Sequence, residues 1–496
     1  MVQTHFDATF AEPVKSNGAS TESLWQGALA DEQALQNLQD SGFSDPSAAH
    51  QHLQQLHVSS RYQQLPEISR QRFDALMPLV ITQAGLESNS SSVLLRMINL
   101  LEGICRRASY LALLAQYPKA LNLVIKLCAA SPWLAQYLTA HPILLDELLD
   151  TQSLYAAPDF IELQASLTQQ MQALAGDTEA QMDAMRHFKH AAIMRFAAQD
   201  LANTLSLETL SDYLSALADI ILQTSLQTIW QNFKYKHRET PKFAIIGYGK
   251  LGSLELGYGS DLDIIFIYND THPEASDIYA RFAQRISGWF NSLTNAGLLY
   301  ETDLQLRPDG NSGLLVSSLS AFQDYQFNKA WVWEHQALTR ARFVAGDASI
   351  GSAFEQVRLE VLSKPRDMEL LKKSVIDMRE KMRASHKPQV DLFDIKHDAG
   401  GIIDVEFALQ FLILAHANQY PQLTKNIGNI ALLNLMASLK LIDANLAGQV
   451  ATAYREYRRL QHALKLQGAV KMQVEYKGVT DHAHAVITFW QQIFTN

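Results

Sequence analysis

The sequence predicts an α+β fold that is predominantly α-helical, with one small mixed sheet flanked by helical bundles. Three observations carry this. Apolar residues recur at helical spacing over most of the chain, as in Leu94, Ile98, Leu101 and Ile104. Strand-like patterning is confined to Phe243–Tyr268 and Leu298–Leu306. Between the two apolar runs of the first segment stand glycines and paired acids, which place the chemistry inside the sheet rather than in the helices.

In chain order, residues 1–23 are polar and aperiodic and are expected to be a flexible lead-in. Residues 24–236 read as a helical region, cut by Pro118, Ser131-Pro132 and His141-Pro142, with Ser131 before Pro132 a natural helix start. Leu210, Tyr213, Leu214, Leu217, Ile220 and Ile221 form one helical face. Residues 237–350 are the expected catalytic domain. Within it, 278–296 is expected as a helix, Leu298–Leu306 as a strand and 318–344 as a further helical region. Residues 351–496 are the expected C-terminal bundle.

The stretch FAIIGYGKLGSLELGYGSDLDIIFIYND from Phe243 to Asp270 is the centre of the reading. A short apolar run ends at Gly247. Glycines at 247, 249 and 252 let backbone N–H groups approach an anion, and Lys250 adds a positive charge, which suits phosphate. Gly257-Tyr258-Gly259-Ser260 is a second turn, leading into Asp261 and Asp263, which share a strand face. Two adjacent carboxylates repel each other and require a cation, and oxygen-only ligands suit Mg²⁺ or Mn²⁺. Asp303 lies on the polar face of the later strand with Glu301, Gln305 and Arg307 and is placed to join them. The loop Asp309–Gly313 is placed to cover a nucleotide.

Gly247–Gly252 also matches G-x-G-x-x-G, with Asp270 near the offset of a ribose-binding acid. Gly257 and Gly259 leave too little length for the expected helix, and that reading gives Asp261 and Asp263 no role. His187 and His190, three apart, lack a third ligand nearby and read as ordinary surface or core histidines, as do His482 and His484. Arg340 or Arg342 is a candidate for reaching a triphosphate or for pairing with Glu334. Lys396, Asp404 and Glu406, around Gly400-Gly401, are candidates for contact with phosphate or a neighbouring domain.

Composition bounds the function. A formal charge of −10 over 496 residues argues against a nucleic-acid or membrane-surface binder. Cys105 and Cys128 sit in apolar helical patterns and read as packed thiols. No run reaches the ~18 apolar residues of a membrane helix, so the expected location is cytoplasmic. A glycine-rich loop, an Asp-x-Asp and a third acid together form a two-metal plan for attack on a nucleoside triphosphate. That plan is the logic of polymerase-beta-like nucleotidyltransferases.

Four segments in order, GYGKLGSLELGYGSDLDIIF, ETDLQLRPDGNSGLLVSSLSAFQDYQ, AWVWEHQALTRARFVAGD and FDIKHDAGGIIDVEFALQ, closely resemble the glutamine synthetase adenylyltransferase family. The resemblance runs from about Leu24 onward. That family joins an AMP-removing N-terminal half to an AMP-adding C-terminal half. This chain carries one copy of the motif, and its WEHQAL segment resembles the adenylylating C-terminal half, so removal of AMP is not expected of it. The resemblance implies that Asp261, Asp263 and Asp303 hold Mg²⁺ or Mn²⁺. It implies that Gly247, Gly249, Lys250 and Ser260 line the phosphates of ATP, with Arg307 a further candidate. It implies glutamine synthetase as protein substrate, and the PII signal protein and glutamine as regulators. The alternatives are a nucleotidyltransferase of another donor or acceptor, such as a uridylyltransferase, and a non-catalytic helical regulatory module.

Overall fold

The computed structural model describes residues 18–386 and 391–495. It divides into two compact units, Met1–Tyr155 and Ala156–Asn496. Residues 1–17 of the expected lead-in lie outside the described residues. The remainder of that stretch is not a lead-in, because helix Gly18–Trp25 begins there.

The first unit is a stack of helices, several of them bounded where the sequence placed a proline, although Glu67–Gly85 runs through Pro78. Pro118 and Pro132 open helices Pro118–Ala130 and Pro132–Ala140, and the Ser131 hydroxyl accepts the Leu134 N–H at 3.0 Å. Leu94, Leu101 and Ile104 on helix Ser90–Ile104 are fully buried. Cys105 and Cys128 are buried free thiols, and burial pushes Cys128 up to about 12.

The second unit opens with helices Phe160–Ala173, Thr178–Leu201 and Leu207–Gln231, capped by Asp159, Asp177 and Ser206. The sheet follows. Strands β1 (Phe243–Gly247) and β2 (Leu262–Tyr268) pair antiparallel, and β3 (Thr302–Asp303) and β4 (Val316–Ser318) both run parallel to β2 along its other edge. Strand β5 (Arg342–Gly346) closes the far side against β1, so the order is β3-β2-β1-β5 with β4 beside β2. The expected strand Leu298–Leu306 is thus shortened to two residues. It supplies two ladder steps and then turns, because Gln305 to Gly310 fold back on themselves.

Both sheet faces are covered, which is why β1 and β2 read as unbroken apolar runs. Phe243 and Phe266 stack at 5.5 Å, and Phe243 meets Phe282 of helix Ala275–Asn291, which packs with Trp230 of helix Leu207–Gln231. On the opposite face Ala244, Ile246, Ile265 and Ile267 belong to one core with Phe354, Leu409, Tyr457 and Phe489. That core continues across residue 350 into helices Met368–Ala384, Ile402–His416, Asn429–Ser438, Ala444–Leu466 and Thr480–Phe494. A two-stranded ribbon, β6 (Leu392–Asp394) with β7 (Gln473–Glu475), ties the loop before Ile402 to the end of the chain. Among the described residues no single helix is long and apolar enough to cross a membrane.

Candidate active site

The parallel pairing of β2 and β3 builds the site. Leu262 lies opposite Thr302 and Asp263 opposite Asp303, and the Leu262 N–H donates to the Glu301 carbonyl at 2.9 Å. Asp261, one residue before β2, therefore joins Asp263 and Asp303 in a cluster whose carboxylate oxygens lie within 4.8 Å of one another. Among the described residues this is the only group of three or more such side chains close enough to hold an ion. Asp261 is exposed, while Asp263 and Asp303 are half-buried. Burial, followed by the charges of Asp261 and Asp303, raises the Asp263 carboxyl to about 6. An oxygen-only, mutually repelling donor set of this kind fits a hard divalent cation.

The glycine loop lies directly against that cluster. Gly249 has φ +53°, and a Cβ there would fall 2.2 Å from Asp263 Oδ2. The Tyr248 N–H donates to the Asp263 carbonyl at 2.8 Å, fastening loop to strand. Helix Gly249–Gly252 is a single turn, too short for a dinucleotide fold's phosphate helix. Asp270, the acid at the ribose offset, is fully buried in other bonds, with His237 at 2.8 Å, Arg238 at 2.6 Å, Tyr279 at 2.8 Å and the His272 N–H at 3.0 Å. Burial alone would raise its carboxyl, but these partners hold it near 2. It is an anchor of the fold.

Lys250 enters the site from the same loop. Burial, reinforced by Arg458 and Lys396 nearby, lowers its ammonium to about 8, against the pull of Glu406. Ser260 is half-buried, and its hydroxyl accepts the Gly257 N–H at 3.1 Å, closing the turn that precedes Asp261. Gly247 is buried at the end of β1, where a Cβ would meet Val344 at 2.7 Å and Leu251 at 2.9 Å. Arg307 donates to the Leu304 carbonyl at 2.7 Å and to Gly313 at 3.5 Å. It staples the segment after β3, where Gly310–Ser312 form a short 3-10 turn.

Beneath the loop lies a buried charge network that spacing did not reveal. Arg340 pairs with Glu255 at 3.0 Å and with Glu406 at 2.6 Å. Glu255 also accepts from Asn429 at 3.0 Å and Tyr454 at 3.2 Å, and Arg458 donates to the Glu255 carbonyl at 2.7 Å. Burial raises the Glu406 carboxyl, but Arg340 outweighs it and holds the group low. Arg340 is therefore a structural partner of two acids rather than of Glu334, which bonds Tyr325 Oη and the Trp331 N–H, each at 2.8 Å. Arg342 pairs with Asp219 at 2.8 Å. Asp404 is taken up by Arg379 at 2.5 Å and Arg383 at 3.1 Å. His190 is a core histidine, its Nε2 meeting the Ala296 carbonyl at 3.0 Å. The one sequence signal for the network was Glu255, an acid inside a glycine-rich apolar stretch with no solvent-facing role.

Comparison with known proteins bears on this site. The family model described as Glutamate-ammonia ligase adenylyltransferase matches residues 121–357, and that described as GlnD PII-uridylyltransferase matches residues 371–474. Several relatives bear the name bifunctional glutamine synthetase adenylyltransferase/adenylyl-removing enzyme. That of Chromobacterium violaceum is 50% identical over 99% of this chain and 55% of its own length. That of Aromatoleum aromaticum is 51% identical over 95% of this chain and 50% of its own. That of Neisseria meningitidis serogroup A is 46% identical over 99% and 54%. The chain spans about half the length of the curated relatives it matches. With near-complete coverage of this chain at such identity, and one carboxylate cluster beside one glycine-lysine loop, the chain belongs to the glutamate-ammonia ligase adenylyltransferase family.

Proposed function

We propose that this chain transfers AMP from ATP to a tyrosine hydroxyl of glutamine synthetase, releasing pyrophosphate, and so adjusts nitrogen assimilation. The observation that carries the reading is the convergence of Asp261, Asp263 and Asp303 within 4.8 Å beside the Gly249-Lys250 loop. In the reaction the phenolic oxygen bonds to the α-phosphorus, the bond from that phosphorus to the β-bridging oxygen breaks, and the phenolic proton is released. Mg²⁺ or Mn²⁺ held by the three aspartates supplies neutralisation of the phosphates and of the developing charge. The residues' own share is positioning. The loop amides from Gly249 and the Lys250 ammonium hold the triphosphate, Ser260 fixes the turn before Asp261, and Arg307 shapes the segment beside the site.

The WEHQAL segment, Trp333 to Leu338, supports the adenylylating rather than the removing role. The match of residues 371–474 to a PII-uridylyltransferase model favours a second reading, transfer of UMP. It ranks lower because that segment contains none of the three aspartates. The same match supports PII as a regulator, with glutamine alongside, and a cytoplasmic location accompanies such a substrate.

The test is incubation of the chain with unmodified glutamine synthetase, Mg²⁺ and labelled ATP or UTP, followed by mass analysis of the acceptor. AMP on tyrosine, lost when all three aspartates become asparagine, is the expected result. Transfer from UTP alone, or none with glutamine added, overturns the proposal.

A further inference from the structure

We propose that Arg186, Lys189 and His190, on one face of helix Thr178–Leu201, are positioning residues that hold Asp303 beside Asp261 and Asp263. Ion affinity at the site then depends on a helix that supplies no ligand. The proposal rests on the reading of the three aspartates as the ion's ligands.

The three side chains stand at i, i+3 and i+4 and grip one loop. Arg186 is fully buried. Its Nε donates to the Gly297 carbonyl at 2.8 Å, its Nη2 to Trp289 at 3.0 Å and Ser292 at 2.7 Å, and its Nη1 to Met182 at 2.9 Å. Trp289 and Ser292 lie at the carboxyl end of helix Ala275–Asn291, so the guanidinium sits at the negative pole of that helix. Lys189 Nζ donates to the Leu298 carbonyl at 3.4 Å and to that of Leu299, and lies 4.5 Å from the centre of the Tyr300 ring. His190 Nε2 meets the Ala296 carbonyl. Four consecutive carbonyls, from 296 to 299, are thereby held from one helix.

The grip continues to the ligand. Asn291 Nδ2 donates to Thr302 Oγ1 at 2.7 Å, and its Oδ1 accepts the Thr302 N–H at 3.1 Å. Thr302 and Asp303 make the only ladder contacts of β3. Two ladder steps are too few to fix a strand, so the backbone at Asp303 is set largely by what precedes it, while its Oδ1 accepts the Gln305 N–H at 2.8 Å. Burial disfavours the charge on Lys189 and lowers it to about 8, and the ammonium donates to the Leu298 and Leu299 carbonyls. A leucine there would fill the volume and leave the carbonyls unbonded.

The experiment is Mn²⁺ titration of the full chain by electron paramagnetic resonance, without nucleotide, with thermal melting of each variant in parallel. Lys189→Met should weaken Mn²⁺ binding about tenfold while the fold persists, and Lys189→Arg should restore most of the affinity. Asn291→Ala, at an exposed position, should weaken it about threefold, which guards against a misfolded Lys189 variant. Asp303→Ala separates the two readings. If it leaves Mn²⁺ affinity unchanged, the ion-site reading fails. If it weakens binding while Lys189→Met and Asn291→Ala do not, the positioning proposal is overturned.

Discussion

Gly249 and Asp263 stand so close that a side chain at 249 and the carboxylate at 263 exclude each other, a built Cβ lying 2.2 Å from Asp263 Oδ2. Gly249→Ala should therefore lower adenylyl transfer at least ~100-fold, since ångström-scale displacement at a reacting centre has that effect. Stability should fall by only about 1–3 kcal/mol, from the positive φ and the crowding. Gly288→Ala is the control. It sits on an exposed helix face with nothing within 4 Å, so it should leave the rate unchanged and raise stability by up to about 1 kcal/mol. Initial rates and melting curves of the two variants decide the matter.

Asp263 should make the ion-free protein more stable in mild acid. Its folded carboxyl is raised to about 6 from an ordinary 3.8, so the folded state binds the proton more tightly than the unfolded one. Stability from this group is lost as pH climbs from about 4 to about 6 and stays lost above. Asp263→Asn should recover about 2–3 kcal/mol at pH 7.5 in chelator and abolish transfer. Denaturant titrations at pH 4 and 7.5 would show the full gain at the higher pH and little at the lower. A variant less stable than the parent at pH 7.5 would contradict the electrostatic account.

Lys250 carries the opposite sign of charge and a parallel penalty. Burial and the neighbouring Arg458 and Lys396 depress its ammonium to about 8 from 10.5, so its contribution to stability grows as pH rises through 8 toward 10.5 and is absent below. Lys250→Met should be no less stable than the parent at pH 7 without nucleotide. Its KM for ATP should rise tenfold or more, and the melting-temperature gain on adding ATP should vanish.

Arg340→Met should cost about 3–5 kcal/mol, because it strands Glu255 and Glu406 as buried charges. Arg455→Ala removes the exposed pair with Glu208 and should cost under about 1 kcal/mol. Urea unfolding of both variants tests whether burial, rather than the count of ion pairs, sets the loss. Equal effects would sink the argument.

The aspartate trio could be read in the sequence because strand alternation fixes faces locally, and Asp261 with Asp263 needed only the period of two. Asp303 was reachable by the same alternation, although its strand extends over two residues and not nine. Spacing could not show that Arg340 meets Glu255 and Glu406 from positions far apart in the chain, nor that Asp270 anchors His237, Arg238 and Tyr279. Such partnerships depend on which helix packs where, and a residue's neighbours in the chain carry no record of it. The helical majority was legible for the converse reason, since prolines and Ser131 punctuate it locally.

The interior that joins Ile246 and Ile265 to Leu409, Tyr457 and Phe489 has a bearing on modularity. A nucleotide site built on a free-standing sheet can be recombined with new appendages, each evolving at its own pace. Here the inner face of the sheet is also the inner face of the C-terminal helices. A change in the volume of any of these side chains is felt on both sides, and the helices cannot be exchanged for another set without recasting the strands that carry Asp263.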